Sequence, residues 1–192
     1  MTTNIETPTH LQDSQTLLSE AGFKTSNVWY HGTTSGLTNA ILKEGLKRSG
    51  DKEINSATKK TMATIGNNYT ERKDPIFLTQ SKELAYFWAN EKVRTRKVHT
   101  GNDETPEIIE VTLPDDLNAN VKPDVGAVVM LMDLHQYMGQ LEAIYQSHNL
   151  AFDLDKLQEN AMEIPREEYL TKLGLAYYQT DIDSQYLSLV GK

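Results

Sequence analysis

The chain has 192 residues, 38% hydrophobic and 24% charged, with no cysteine and a formal net charge of −8. That length suits one domain with a buried core, and the composition excludes disordered, collagen-like and disulfide-stapled classes. No stretch approaches the roughly 18 consecutive apolar residues of a membrane span, and Met1 to Thr9 shows neither a basic nor an apolar leader region. The expectation is therefore a cytoplasmic protein with no membrane partner.

Charge is divided unevenly. Residues 1–99 carry 14 Lys and Arg against 10 Asp and Glu, and residues 100–192 carry five against 17. An acidic balance argues against extended nucleic-acid binding, which rests on many phosphate contacts. The densest cationic run, Lys92, Arg94, Arg96 and Lys97, reads as a solvated helix end.

In chain order, Leu11, Leu17, Leu18 and Ala21 before Gly22 suggest a first helix with a glycine stop. Val28-Trp29-Tyr30-His31 reads as a strand, with Val28 and Tyr30 on one face and Trp29 and His31 on the other. Leu37, Ala40 and Ile41 mark a helix ending at Gly45, with Leu46 placed to cover Ile41. Residues 47–75 are polar, follow neither period and read as a long connection. Ile76-Phe77-Leu78-Thr79 is a second strand, and Ser81 with Glu83 opens a helix carrying Leu84, Phe87 and Trp88 at helical spacing.

Ile108 to Leu113 forms a third strand, stopped by Pro114. The apolar run from Ala127 to Met132 fits a buried strand or a helix start equally. Leu134, Tyr137, Met138, Leu141 and Tyr145 share one helical face. Glu159 to Glu163 suits a short strand, Pro165 a helix start and Gly174 its end, and Leu175 to Leu189 holds one or two closing strands. The chain is thus α+β. Residues 1–24 form a polar tail and helix, and 25–192 a single domain.

No G-x-G-x-x-G, P-loop, H-E-x-x-H or G-x-S-x-G pattern occurs. The five His residues lack ligand spacing, and Asp181 with Asp183 begins a calcium loop that is not completed, so no metal is expected. What remains is three separated segments: Trp29-Tyr30-His31-Gly32-Thr33; Ile76-Phe77-Leu78-Thr79 followed by Ala85-Tyr86-Phe87-Trp88-Ala89; and Glu159-Asn160-Ala161-Met162-Glu163-Ile164-Pro165.

In this order they resemble the ADP-ribosyltransferase superfamily, in the branch with a His, aromatic and Glu triad shared by diphtheria-type toxins and poly(ADP-ribose) polymerases. The resemblance implies a split, mostly antiparallel sheet around an NAD cleft with flanking helices, and a mono-ADP-ribosyltransferase that uses NAD as co-substrate. It implies that His31 bonds a ribose hydroxyl, that Gly32 offers its backbone to the nicotinamide carboxamide, and that Thr33 and Thr79 assist at the strand ends. An imidazole serves a hydroxyl as donor or acceptor, and a residue without a side chain admits a flat amide.

Tyr86 or Phe87 would stack on the cationic nicotinamide ring. The carboxylate that supports an oxocarbenium-like state would be Glu159, with Glu163 as the second choice. Lys47, Arg48, Lys59, Lys60, Arg72 and Lys73 could reach pyrophosphate, and Asn67, Asn68 and Tyr69 a ribose or the acceptor. A protein is the favoured acceptor. NAD glycohydrolysis and RNA 2′-phosphotransfer are alternatives on the same fold. An inactive binding module that uses the acidic half is the alternative of another class.

Overall fold

The computed structural model describes residues 6–48, 50–64, 66, 73–124, 126, 135–152, 163 and 165–191. Among these the chain is a mixed α+β structure with small antiparallel sheets. The strands are β1 (Leu18–Ser19), β2 (Gly22–Phe23), β3 (Val28–Thr34), β4 (Ile76–Leu78), β5 (Pro106–Thr112), β6 (Lys122–Pro123), β7 (Ala176–Tyr178) and β8 (Leu187–Leu189). The helices are α1 (Ser14–Leu17), α2 (Ser35–Glu44), α3 (Lys52–Thr64), α4 (Lys82–Thr100), α5 (Asp115–Asn118), α6 (His135–Ser147) and α7 (Arg166–Leu173).

Two three-stranded sheets carry the architecture, one ordered β3-β5-β8 and the other β4-β7-β6, with every pairing antiparallel. They touch at one rung, where Tyr30 and Thr79 exchange backbone bonds of 2.8 and 2.9 Å. Past that rung β3 runs on through His31 to Thr34, paired only with β5 among the described strands.

Side-chain alternation along β3 puts Trp29 into a core shared by the two sheets, with Ile109, Val111, Ile76, Leu78 and Tyr178. Tyr30 falls on the opposite face, in a cluster with Ala85 of α4, Ile108 and Leu11. A third cluster joins α4, α6 and α7 through Leu84, Phe87, Tyr137, Leu141, Tyr145 and Leu173. There the Tyr137 hydroxyl donates to the carbonyl of Leu173.

Several segments depart from the sequence expectation. Residues 9–23 do not form one helix. A 3₁₀ turn and the single turn α1 lead into the β1–β2 hairpin, and Gly22, at φ 105°, serves the turn. A Cβ on Gly22 would lie 2.2 Å from the carbonyl oxygen of Thr171, so close approach to α7 also requires the glycine. This segment is bound into the body: Phe23 is in the core, and Asp13 accepts bonds from the Ser81 hydroxyl (2.6 Å) and the Lys82 amide (2.8 Å) at the start of α4.

Helix α3 interrupts the expected connection 47–75, and α5 follows Pro114. Helix α2 ends at Gly45 as expected, but the backbone of Leu46 then pairs with Ile182, which brings the C-terminal segment alongside. The run 127–132 and residues 159–162 of the expected strand Glu159–Glu163 lie outside the described residues, and Glu163 is in a turn.

Candidate functional site

A cleft of about 620 Å³ opens beside the C-terminal half of β3. Its walls come from His31 and Thr33, residues of α2, residues 45–48 and 50–55, and Asp74 to Phe77, with Lys92 of α4. Such a volume accommodates a small-molecule or nucleotide ligand.

His31 is the best-defined polar group in it. Its Nδ1 lies 2.9 Å from the carbonyl oxygen of Phe77. A carbonyl only accepts, so Nδ1 carries the proton, and in the neutral ring Nε2 is left as an acceptor. Burial pushes the imidazole below its ordinary value, and the nearby Lys92 cation adds to this against the opposing bond to Phe77. His31 is therefore a neutral, oriented acceptor at neutral pH.

Gly32 carries two constraints. Its missing side chain is where α4 packs: a Cβ would lie 2.3 Å from the Ala85 carbonyl oxygen and 2.6 Å from the Ala89 nitrogen. Its backbone is set by ladder alternation. Tyr30 directs its N–H and C=O toward β4, so Gly32, two residues on, directs its own to the same side, beyond the rung where the sheets separate. His31 and Thr33, which flank it, both line the cleft.

Among the other expected site residues that are described, Thr79, Tyr86, Phe87 and Glu163 do not line the cleft. Thr79 is buried and latches the two sheets, its hydroxyl donating to the carbonyl of Ser81 at 2.8 Å. Tyr86 packs beside the cluster of Tyr30, Ala85, Ile108 and Leu11. Phe87 is 2% exposed, with ring centroids 5.2 Å from both Trp88 and Tyr137, so its faces are occupied by the core rather than open to a ligand. Glu163 is exposed in a turn just before α7, and Glu159 lies outside the described residues, as do Asn67, Asn68, Tyr69 and Arg72. Lys47 and Arg48 line the cleft, whereas Lys59, Lys60 and Lys73 do not.

An aromatic that sequence reading left unassigned does reach the cleft. Phe77 is 51% exposed and lines it, next to the carbonyl that fixes His31. The signal was strand alternation: Ile76 and Leu78 point inward, which turns Phe77 outward.

The cationic run on α4 also needs correction. Arg96 is only 1% exposed. Its Nε and Nη2 donate to the two oxygens of Glu104, both at 2.8 Å, and its remaining N–H groups reach Asp51 and Glu53. Lys92 stands 3.5 Å from Asp51, and the Thr34 hydroxyl donates to Glu104. Burial pushes Asp51 up, but Arg96, Lys92 and the amide of Ile54 outweigh it and hold the carboxyl below its usual range. The Arg96 bonds hold Glu104 low against burial, with Thr34 assisting.

Among the described residues no group of acids and histidines could hold a metal ion, and no helix is long and apolar enough to cross a membrane. No family model, curated protein or solved structure matches the chain. The site is thus defined by its own geometry: a cleft at the parting of two antiparallel sheets, with a neutral histidine, an exposed aromatic ring and cations on its walls.

Proposed function

We propose that the protein is a mono-ADP-ribosyltransferase, which cleaves NAD at the nicotinamide–ribose bond and transfers ADP-ribose to an acceptor, a protein being favoured. The observation that carries this reading is the arrangement at the end of β3. His31 is a neutral acceptor in the cleft, and the Gly32 amide edge falls on the open side of the split between the sheets.

In this reading His31 Nε2 accepts a ribose hydroxyl proton, and the Gly32 N–H and C=O pair with the carboxamide. Phe77 offers the open ring face for a heteroaromatic ring that Phe87 cannot offer. The bond from ribose C1 to the pyridinium nitrogen breaks, and its electron pair leaves with neutral nicotinamide. The acceptor then bonds C1 and yields its proton to a carboxylate, for which Glu159 is the first choice and Glu163 the second.

The test is nicotinamide release from NAD by the purified chain, with and without cell lysate, beside Glu159→Gln and Glu163→Gln. Release that grows with lysate and falls at least about a hundredfold in one variant supports transfer and identifies the carboxylate. Equal release without lysate indicates water as acceptor, hence NAD glycohydrolysis. Absence of both release and NAD binding by folded protein sinks the enzyme reading and favours a binding module.

A further inference from the structure

The segment that leads into α1 has few apolar contacts with the body and several polar ones. Leu11 is the one buried apolar side chain among residues 6–17, and it packs with Tyr30, Ala85 and Ile108. The polar ties run to the start of α4 and the end of α6. Asp13 accepts the Ser81 hydroxyl at 2.6 Å and the Lys82 amide at 2.8 Å. Ser14, 2% exposed, places its hydroxyl 2.8 Å from Nε2 of His148, the residue after α6.

Glu83, the second residue of α4, is 6% exposed and faces the same serine. Burial, aided by the charge of Asp13, holds its carboxyl above the ordinary value against the bonds from the Ser14 hydroxyl and amide. Burial raises Asp13 as well. Among the described residues no lysine, arginine or histidine lies within ion-pair distance of either acid. Lys82 acts on Asp13 from farther off and stands 5.7 Å over the ring of Tyr30 on β3, which in turn faces Asp13 and Glu110 of β5. Two neighbouring acids out of water, without an ion-paired cation, favour one proton between them.

The bonds place that proton. Asp13 meets donors only, the Lys82 amide and the Ser81 hydroxyl, whose oxygen in turn accepts the Glu83 amide. Ser14 has one hydroxyl proton and two partners. When Glu83 is protonated, it donates to Ser14 Oγ, and Ser14 donates to His148 Nε2. When Glu83 is charged, Ser14 donates to it, and Oγ accepts from a protonated Nε2. Passing from the first state to the second breaks the O–H of Glu83, forms an N–H on His148 and moves no heavy atom. We propose that Glu83, Ser14 and His148 are a proton relay that locks residues 6–17 against α4 and α6 while it holds one proton, and releases them when that proton is lost. None of the three lines the cleft, so the relay stands whether or not the cleft takes NAD.

Loss of the proton leaves two charges side by side out of water, and opening returns both to water. Release therefore grows as pH rises from the ordinary carboxylate range through the raised value of the couple, and levels off above it. Hydrogen exchange read by mass spectrometry on the full chain tests this, corrected for intrinsic rates at each pH from about 5 to 8, for wild type, Glu83→Gln and His148→Gln. In wild type, opening of residues 9–17 should grow by up to about tenfold per pH unit, the factor for one proton, while β5 stays closed. Glu83→Gln keeps a donor toward Ser14 but carries no titrating proton, so it should lose most of the rise. His148→Gln also keeps a donor toward Ser14 but removes one carrier of the proton, so its rise should level off at lower pH than in wild type.

Opening of 9–17 that does not change with pH, or a rise that survives Glu83→Gln in full, overturns the lock. Opening of β5 in step with 9–17 shows loss of the whole fold and overturns a releasable segment. A His148→Gln profile that superimposes on wild type takes the imidazole out of the relay and overturns it. If Glu83→Gln does not fold, wild type and His148→Gln still decide, because the first reports release and the second the carrier of the proton.

Discussion

Replacing Gly32 by alanine separates two reasons for a glycine at that position. The added methyl would stand 2.3 Å from the Ala85 carbonyl oxygen, 2.6 Å from the Ala89 nitrogen and 3.0 Å from the Trp88 carbonyl carbon. All three are backbone atoms, so no rotamer change relieves the clash. Ordinary contact begins near 3.4 Å, and α4 would have to retreat by about 1 Å. That helix cannot move alone, because Leu84, Ala85, Phe87 and Ala89 are buried along it.

Overpacking of this kind costs about 3 kcal/mol. In a chain of this size that is a fall in Tm of roughly 6–12 °C, to be read by thermal and urea unfolding with circular dichroism. The substitution leaves the backbone groups of Gly32 in place, so the destabilised protein should retain nucleotide binding at temperatures where it stays folded. A variant as stable as wild type, or weaker by less than about 1 kcal/mol, would refute the packing account. Full stability with lost NAD binding would assign the glycine to the ligand alone.

Removing the Phe77 ring should cost the fold under about 1 kcal/mol, since half of it is exposed, as urea unfolding of Phe77→Ala reads; on the proposed function it weakens NAD binding about tenfold, as calorimetric titration reads. The His31 imidazole should titrate below the ordinary histidine value in nuclear magnetic resonance, and Lys92→Met should move it upward. Because the folded state resists protonation of His31, its contribution to stability is present at neutral pH and lost as pH falls below the unfolded histidine value.

Asp51 and Glu104, held low in the fold, contribute stability above the ordinary carboxylate range that is lost as pH falls through it toward their folded values. Arg96→Met should flatten that acid limb in urea titrations and destabilise the neutral protein by about 3–5 kcal/mol, because it strands buried carboxylates. Glu83 has the opposite sign. Burial raises its carboxyl against the bonds from Ser14, so stability declines as pH rises through its window above the ordinary value, and Glu83→Gln should remove that decline.

The amino-acid sequence alone determined the elements whose own residues carry the reason for them. The β3 and β4 strands follow from short β-branched and aromatic runs. The start of α4 follows from the Ser81 cap, the ends of α2 and α7 from Gly45 and Gly174, and the inward face of α6 from the spacing of Tyr137, Met138, Leu141 and Tyr145. The two faces of β3 were likewise legible, because a period of two needs no partner to be read.

Tertiary structure decided what depends on groups far apart in the chain. Helix α3 has no buried stripe to announce it and is tethered by an arginine more than 40 residues away. Arg96 itself looks like one more surface cation in a basic run, and only the arrival of Asp51, Glu53 and Glu104 makes it a buried junction. Aromatic roles followed the same rule. Phe87 and Phe77 are alike in sequence, but α6 and Trp88 cover the first, while the second projects from a three-residue strand into the cleft where the two sheets part.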